Sequence, residues 1–126
     1  MTWCVKIGTL KGRTIKKIEA CFYKSDSGKE PVKVWLIELE REDRRTIGKD
    51  IQKVEFGWPI GMPYSRNLEK GLYEVRSNIS DGRIARVLFC IQRNQMILLH
   101  GFIKKTQATP DKDKEIARKR MKGAKA

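Results

Sequence analysis

The sequence predicts an α+β fold: an antiparallel sheet made of an N-terminal strand and a three-strand meander, a helical pair covering one face, and a short C-terminal helix. Three observations carry this expectation. Residues 72–79, 83–92 and 96–104 are rich in β-branched and aromatic side chains, and the tight-turn pairs Asp81-Gly82 and Arg93-Asn94 separate them. Ile47, Ile51 and Val54 recur at four and three residues, which is one face of a helix. Acids early and bases late in residues 111–123 suit the dipole of a terminal helix.

The elements follow in order. Residues 1–15 hold Lys6, Lys11 and Arg13 without an acid, and read as a basic extension or an extra strand. Residues 17–23 alternate well enough for a strand that ends at the Ser25–Gly28 turn cluster. Glu30-Pro31 opens a helix whose apolar stripe is expected to be Val34, Leu36, Ile37 and Leu39. A second helix begins near Glu42-Asp43 and stops at Phe56-Gly57-Trp58-Pro59. Residues 57–66 read as a loop that braces the helices on the sheet, with Trp35 and Trp58 as core or covering aromatics. One domain over residues 16–126 accounts for all of this.

The charge is one-sided. The 126 residues carry 28 Lys plus Arg against 15 Asp plus Glu, a formal charge of +13. Such a balance points to a polyanionic partner, nucleic acid before anionic membrane. The run from Lys104 onward is the most basic segment, and reads equally as a solvated helix end or a phosphate-contacting surface. Cys4, Cys21 and Cys90 lack metal-ligand spacing and His100 is the only histidine, so neither a metal nor a cofactor is expected. Free thiols, no leader-like apolar block and no membrane-spanning run together place the chain in the cytoplasm.

The meander strands carry Arg76, Arg86 and His100 in mid-run and Lys104 and Lys105 at the end. Burying an isolated charge is costly, so one face or end of the sheet must open to water or to an anion. A two-residue Arg93-Asn94 loop would put Lys105 on the face of Arg86, and a three-residue loop would put Lys104 and His100 there.

The element order and the blocks SGKEPV (27–32), FGWPIGMP (56–63), GLYEVR (71–76), RIARVLF (83–89) and LLHGFIKKTQATP (98–110) resemble the RelE/ParE toxin superfamily, most closely its phage Gp49-like, HigB-type branch. The resemblance covers roughly residues 17–122 and implies a RelE-like sheet. It also implies a toxin that cleaves mRNA on the ribosome and is held inactive by a helix-turn-helix, HigA-like antitoxin. No small-molecule cofactor and no membrane are implied. The ParE-type members imply a different target, DNA gyrase, and a non-catalytic basic nucleic-acid-binding module is a third reading.

Metal-free RNA cleavage proceeds by attack of a ribose 2′-hydroxyl on the adjacent phosphate. It needs cations for the phosphorane and proton transfer at both oxygens. Arginine forks suit the first task. By the resemblance, Arg86 occupies the place of the central catalytic arginine, Arg76 that of a motif arginine, and Lys104 and Lys105 that of a basic pair after the last strand. Each arginine has a competing structural role, pairing with Glu74. Arg66, Lys70, His100 and Lys112 are further candidates for RNA contact, with His100 equally readable as a satisfied sheet histidine. The tyrosine that some relatives use near the C-terminus has no counterpart after Tyr73.

Overall fold

A computed structural model describes residues 15–104 and 108–125 of the chain. The expected leading segment 1–15 falls, save Ile15, outside the described residues, as does Lys105. The elements are β1 (Glu19–Phe22), α1 (Pro31–Ile37), α2 (Arg41–Gly57), β2 (Ser65–Glu69), β3 (Leu72–Asn78), β4 (Ile84–Gln92), β5 (Gln95–Lys104) and α3 (Asp111–Lys125). The α+β class stands, with two corrections to the sheet. It is five-stranded, in the order β1-β5-β4-β3-β2, and mixed, because β1 runs parallel to β5. The extra strand is β2, SRNLE, whose single large apolar residue gives no alternation from which a strand could be read.

Each face of the sheet has its own core. Val75, Ala85, Val87, Phe89 and Leu98 bury one face under Val32 and Leu36 of α1 and Ile47, Ile51 and Val54 of α2. The opposite face buries Leu72, Leu88, Cys90 and Leu99 beneath α3, through Ala117 and Met121. The expected stripe of α1 is therefore corrected: Val32 and Leu36, four apart, point inward, whereas Val34 and Ile37 are exposed. Trp35 lies across Gly101 of β5, and Trp58 packs edge-on against Tyr73 and Phe89. The Trp58 contacts tie the segment after α2 to the sheet, but the expected loop ends at Tyr64, because Ser65 and Arg66 already belong to β2.

The expectation of free thiols fails at Cys21, which is disulfide-bonded, while Cys90 is buried in the core outside any disulfide. Among the described residues, no helix is long and apolar enough to cross a membrane.

Both expected tight turns are present. Asp81 and Gly82 take positive φ in the β3–β4 connection, as do Arg93 and Asn94 between β4 and β5. The latter is a two-residue loop, since Gln92 pairs with Gln95. A β-bulge at Leu88/Phe89 then shifts the register by one residue, so Arg86 pairs with Phe102 and Ile84 with Lys104. A one-residue shift exchanges the faces of a strand. It brings His100 and Lys104 to the face of Arg86.

Candidate functional site

The cationic groups of the meander converge on one carboxylate. Glu74, in the middle of β3, is fully buried on the α3 side of the sheet. Its neighbour in register on β2 is Arg66, whose Nη2 lies 3.3 Å from Glu74 Oε1. Arg76, two residues along β3 and hence on the same face, places Nε 3.9 Å from the same oxygen. Arg86, across from Arg76 on β4, places Nε 3.9 Å from Glu74 Oε2. Three strands thus aim three guanidinium groups at one carboxylate. A buried carboxylate demands that company, because its desolvation is repaid only by close counter-charges and hydrogen bonds.

The three arginines differ in access. Arg66 and Arg76 keep 35% and 19% of their side-chain surface in solvent, whereas Arg86 keeps none. Arg86 is enclosed by Phe102, whose ring centroid lies 5.8 Å from its Cζ, and by the Ala108 carbonyl, which accepts from Nη1 at 3.1 Å. Burial pulls the Arg86 guanidinium below its ordinary value, with the Glu74 carboxylate opposing and Arg76 and Arg66 reinforcing the fall. Arg86 is thus the inner member of the cluster, and Arg66 and Arg76 form its outer surface.

Residues 108–113 cross over the cluster and complete it. The Thr109 hydroxyl donates to Glu74 Oε2. On the first turn of α3, Asp113 Oδ1 lies 2.7 Å from His100 Nε2, and the imidazole stacks on Phe102 at 5.5 Å. His100 is therefore a partly buried, carboxylate-bonded sheet histidine. Sequence reasoning missed Thr109 and Asp113, which carry no signal until the chain turns back over the sheet. Glu74 was legible only as a possible partner of Arg86 or of Arg76; the structure joins it to both, and to Arg66.

Buried polar atoms of the cluster, Glu74 Oε1 and Asp113 Oδ2 among them, lack a hydrogen-bond partner among the described residues. Arg66 Nε is likewise buried and has no hydrogen-bond acceptor among the described residues. A buried donor left in this state is costly unless an anion or water supplies the acceptor. The remaining expected contacts lie farther out. Lys104 shares the Arg86 face at the end of β5, while Lys70 and Lys112 are exposed at the β2–β3 turn and the start of α3.

Several of the α3 bases have structural partners. Arg118 grips Glu69 at the end of β2 through Nε and Nη2, at 2.7 and 3.0 Å. That fork draws the Glu69 carboxyl below its usual range. Arg120 donates to the Leu99 carbonyl at 2.9 Å, and Lys114 lies 3.6 Å from Asp111.

Comparison with known proteins agrees with this arrangement at the level of family. A search of curated proteins finds no match to the chain. A model of the family described as phage derived protein Gp49-like matches residues 34–122, from α1 through most of α3, and so contains the whole arginine–glutamate cluster. The chain belongs to the Gp49-like family of phage-derived proteins, whose members are toxin-like proteins of RelE/HigB type.

Proposed function

We propose that this protein is the toxin of a toxin–antitoxin pair, a ribosome-dependent endoribonuclease that cuts translated mRNA in the cytoplasm. Its inhibitor would be a helix-turn-helix antitoxin of HigA type. The observation that carries this reading is the outer surface of the cluster: Arg66 and Arg76, preorganised on a buried carboxylate, with a buried Arg66 N–H that lacks an acceptor. A backbone phosphodiester supplies that acceptor together with one negative charge, which becomes two in the phosphorane.

In this reading the 2′-oxygen attacks phosphorus and gives its proton to a water molecule, the bond to the 5′-oxygen breaks, and a 2′,3′-cyclic phosphate and a 5′-hydroxyl result. Arg66 and Arg76 hold the equatorial phosphorane oxygens, where fixed donors are worth most because they need not reorganise. Arg86 touches no RNA; from beneath, it holds Glu74 in place, and Glu74 in turn holds the two outer forks. Lys104, on the same face, is placed to protonate the leaving 5′-oxygen, and Lys105 follows it in sequence. His100 already shares a hydrogen bond with Asp113, so accepting the 2′ proton would require that bond to loosen. Orientation of the mRNA by the ribosome reduces what the chain itself must supply.

Primer extension on a translated mRNA tests the reading, with wild-type protein and Arg76→Ala, each with and without ribosomes. Cuts that require ribosomes and fade in the variant are the expected result. Folded, antitoxin-free protein that leaves the mRNA intact would overturn the proposal and direct attention to gyrase or to plain nucleic-acid binding.

A further inference from the structure

A second cationic surface lies on the opposite side of the sheet. Arg41, Arg45, Lys49 and Lys53 recur every four residues along α2, and all four are exposed. Ile47, Ile51 and Val54 of the same helix face the sheet, so this line points away from both the core and the arginine cluster. Four residues of α-helix rise about 6 Å, so the line runs roughly 18 Å with one cation per turn.

Fold stability does not account for these residues. Arg41 and Arg45 sit in the first turns of α2, where cations oppose the helix dipole. Arg41, Arg45 and Lys49 have no ion-pair partner among the described residues; only Lys53 has one, Asp50 at 3.4 Å. Arg44 supplies the contrast, since its Nη1 bonds the Ile37 and Leu39 carbonyls and secures the end of α1. The bases of α3 that grip Glu69 and Leu99 are likewise accounted for.

We infer that the outer face of α2 is a docking surface for the phosphate backbone of a structured RNA. This rests on the nuclease reading and names how the chain is held on its large RNA partner while the opposite face works. The alternative occupant, an acidic polypeptide, binds best around central apolar anchors, and here apolar groups lie only at the Lys53 end of the line. Between the cations stand Glu42, Thr46 and Asp50, all polar. Phosphate neutralisation needs no such anchor, because counterion release supplies the affinity. At the far end, Lys53 lies over the Tyr64 ring at 5.6 Å, beside Phe56. Aromatic groups next to a cation offer an unpaired base a place to stack.

The test is co-sedimentation of the full chain with purified small ribosomal subunits across a salt series. It compares wild type with Arg41→Gln/Arg45→Gln/Lys49→Gln and with a charge-matched control, Lys17→Gln/Lys24→Gln/Lys29→Gln. Losing three phosphate contacts lowers the slope of log affinity against log salt by roughly two to three. A fourfold rise in salt then costs the α2 variant roughly 16- to 64-fold less affinity than it costs wild type. The control keeps the wild-type slope. Equal slopes in all three proteins, or equal losses in both variants, overturn the inference. So does a poly-glutamate peptide that binds wild type but not the α2 variant while subunit binding is unchanged, since the occupant is then a polypeptide. The readout is binding, so it separates from the nuclease reading. Slope loss without mRNA cuts removes only that reading, and cuts with unaltered slopes remove only this one.

Discussion

The Glu74 carboxylate and the Arg86 guanidinium lie 3.9 Å apart with neither side chain reaching solvent. Removing one member of such a pair strands the other's charge in a medium that solvates it poorly. Arg86→Ala should therefore destabilise the fold by about 3 kcal/mol, the low end for breaking a buried pair, because Arg66 and Arg76 still face the carboxylate. Urea unfolding of Arg86→Met, Glu74→Gln and the double variant checks this: the double should be less destabilised than the two singles combined. Additive losses would mean that the pair is not coupled. Loss of activity in an Arg86 variant is thus ambiguous until its folding has been measured.

Arg66 separates the two effects. It is one-third exposed, and its ion pair with Glu74 is worth at most about 1 kcal/mol after solvent screening. Its fork is aimed at the place proposed for phosphate. Arg66→Ala should slow mRNA cutting by about two powers of ten while leaving the urea midpoint nearly unchanged. Arg66→Lys keeps the charge but loses the second donor, and should recover only part of the rate. Full activity in Arg66→Ala would take Arg66 out of the chemistry.

Much of this cluster could be read in the sequence, and its limits have physical causes. Arg93-Asn94 was legible as a tight turn, though not in its length of two residues, because few residue pairs accept positive φ twice. The bulge at Leu88/Phe89 was not, since a bulge among uniformly apolar residues leaves the composition unchanged. That bulge puts Lys104 on the face of Arg86. β2 stayed hidden because Ser65, Arg66 and Asn67 follow a Gly/Pro-rich loop without alternation. The parallel pairing of β1 with β5 joins residues far apart in sequence, which no local pattern encodes. The inner-to-outer order of Arg86, Arg76 and Arg66 came only from the return of residues 108–113 over the sheet.

Acid should weaken the tie between α2 and the β3–β4 connection. Asp43 of α2 accepts from the Ser80 backbone N–H and hydroxyl, both at 3.1 Å, and from Arg83 Nη2 at 2.9 Å. The Ser80 backbone N–H is the largest influence holding its carboxyl below the usual value, and burial opposes it. A carboxyl whose pKa is depressed on folding stabilises the fold fully above its unfolded value, about 3.9, and that stabilisation is lost as pH falls through the folded value. The stability difference between wild type and Asp43→Asn should be constant near neutrality and shrink below about pH 4. Urea titrations at a series of pH values check this, and a difference independent of pH would show that the Asp43 charge contributes nothing.

Gly101 on β5 controls how closely α1 approaches the sheet. A Cβ at this position would stand 2.4 Å from Trp35 Cε3 and 2.6 Å from Cζ3, well inside contact distance. The obstacle is an indole ring packed against the core, so relief requires the ring or α1 to shift. Gly101→Ala should cost about 1–3 kcal/mol, as overpacking generally does. Trp35→Leu in the same chain should restore part of the loss, because it removes the atoms that clash. Because Trp35 lies on the face opposite Glu74, the strain falls on α1 and not on the arginines. Activity per folded molecule should therefore stay at the wild-type level, and a fall in that quantity would show that displacement of α1 reaches the cluster through β5.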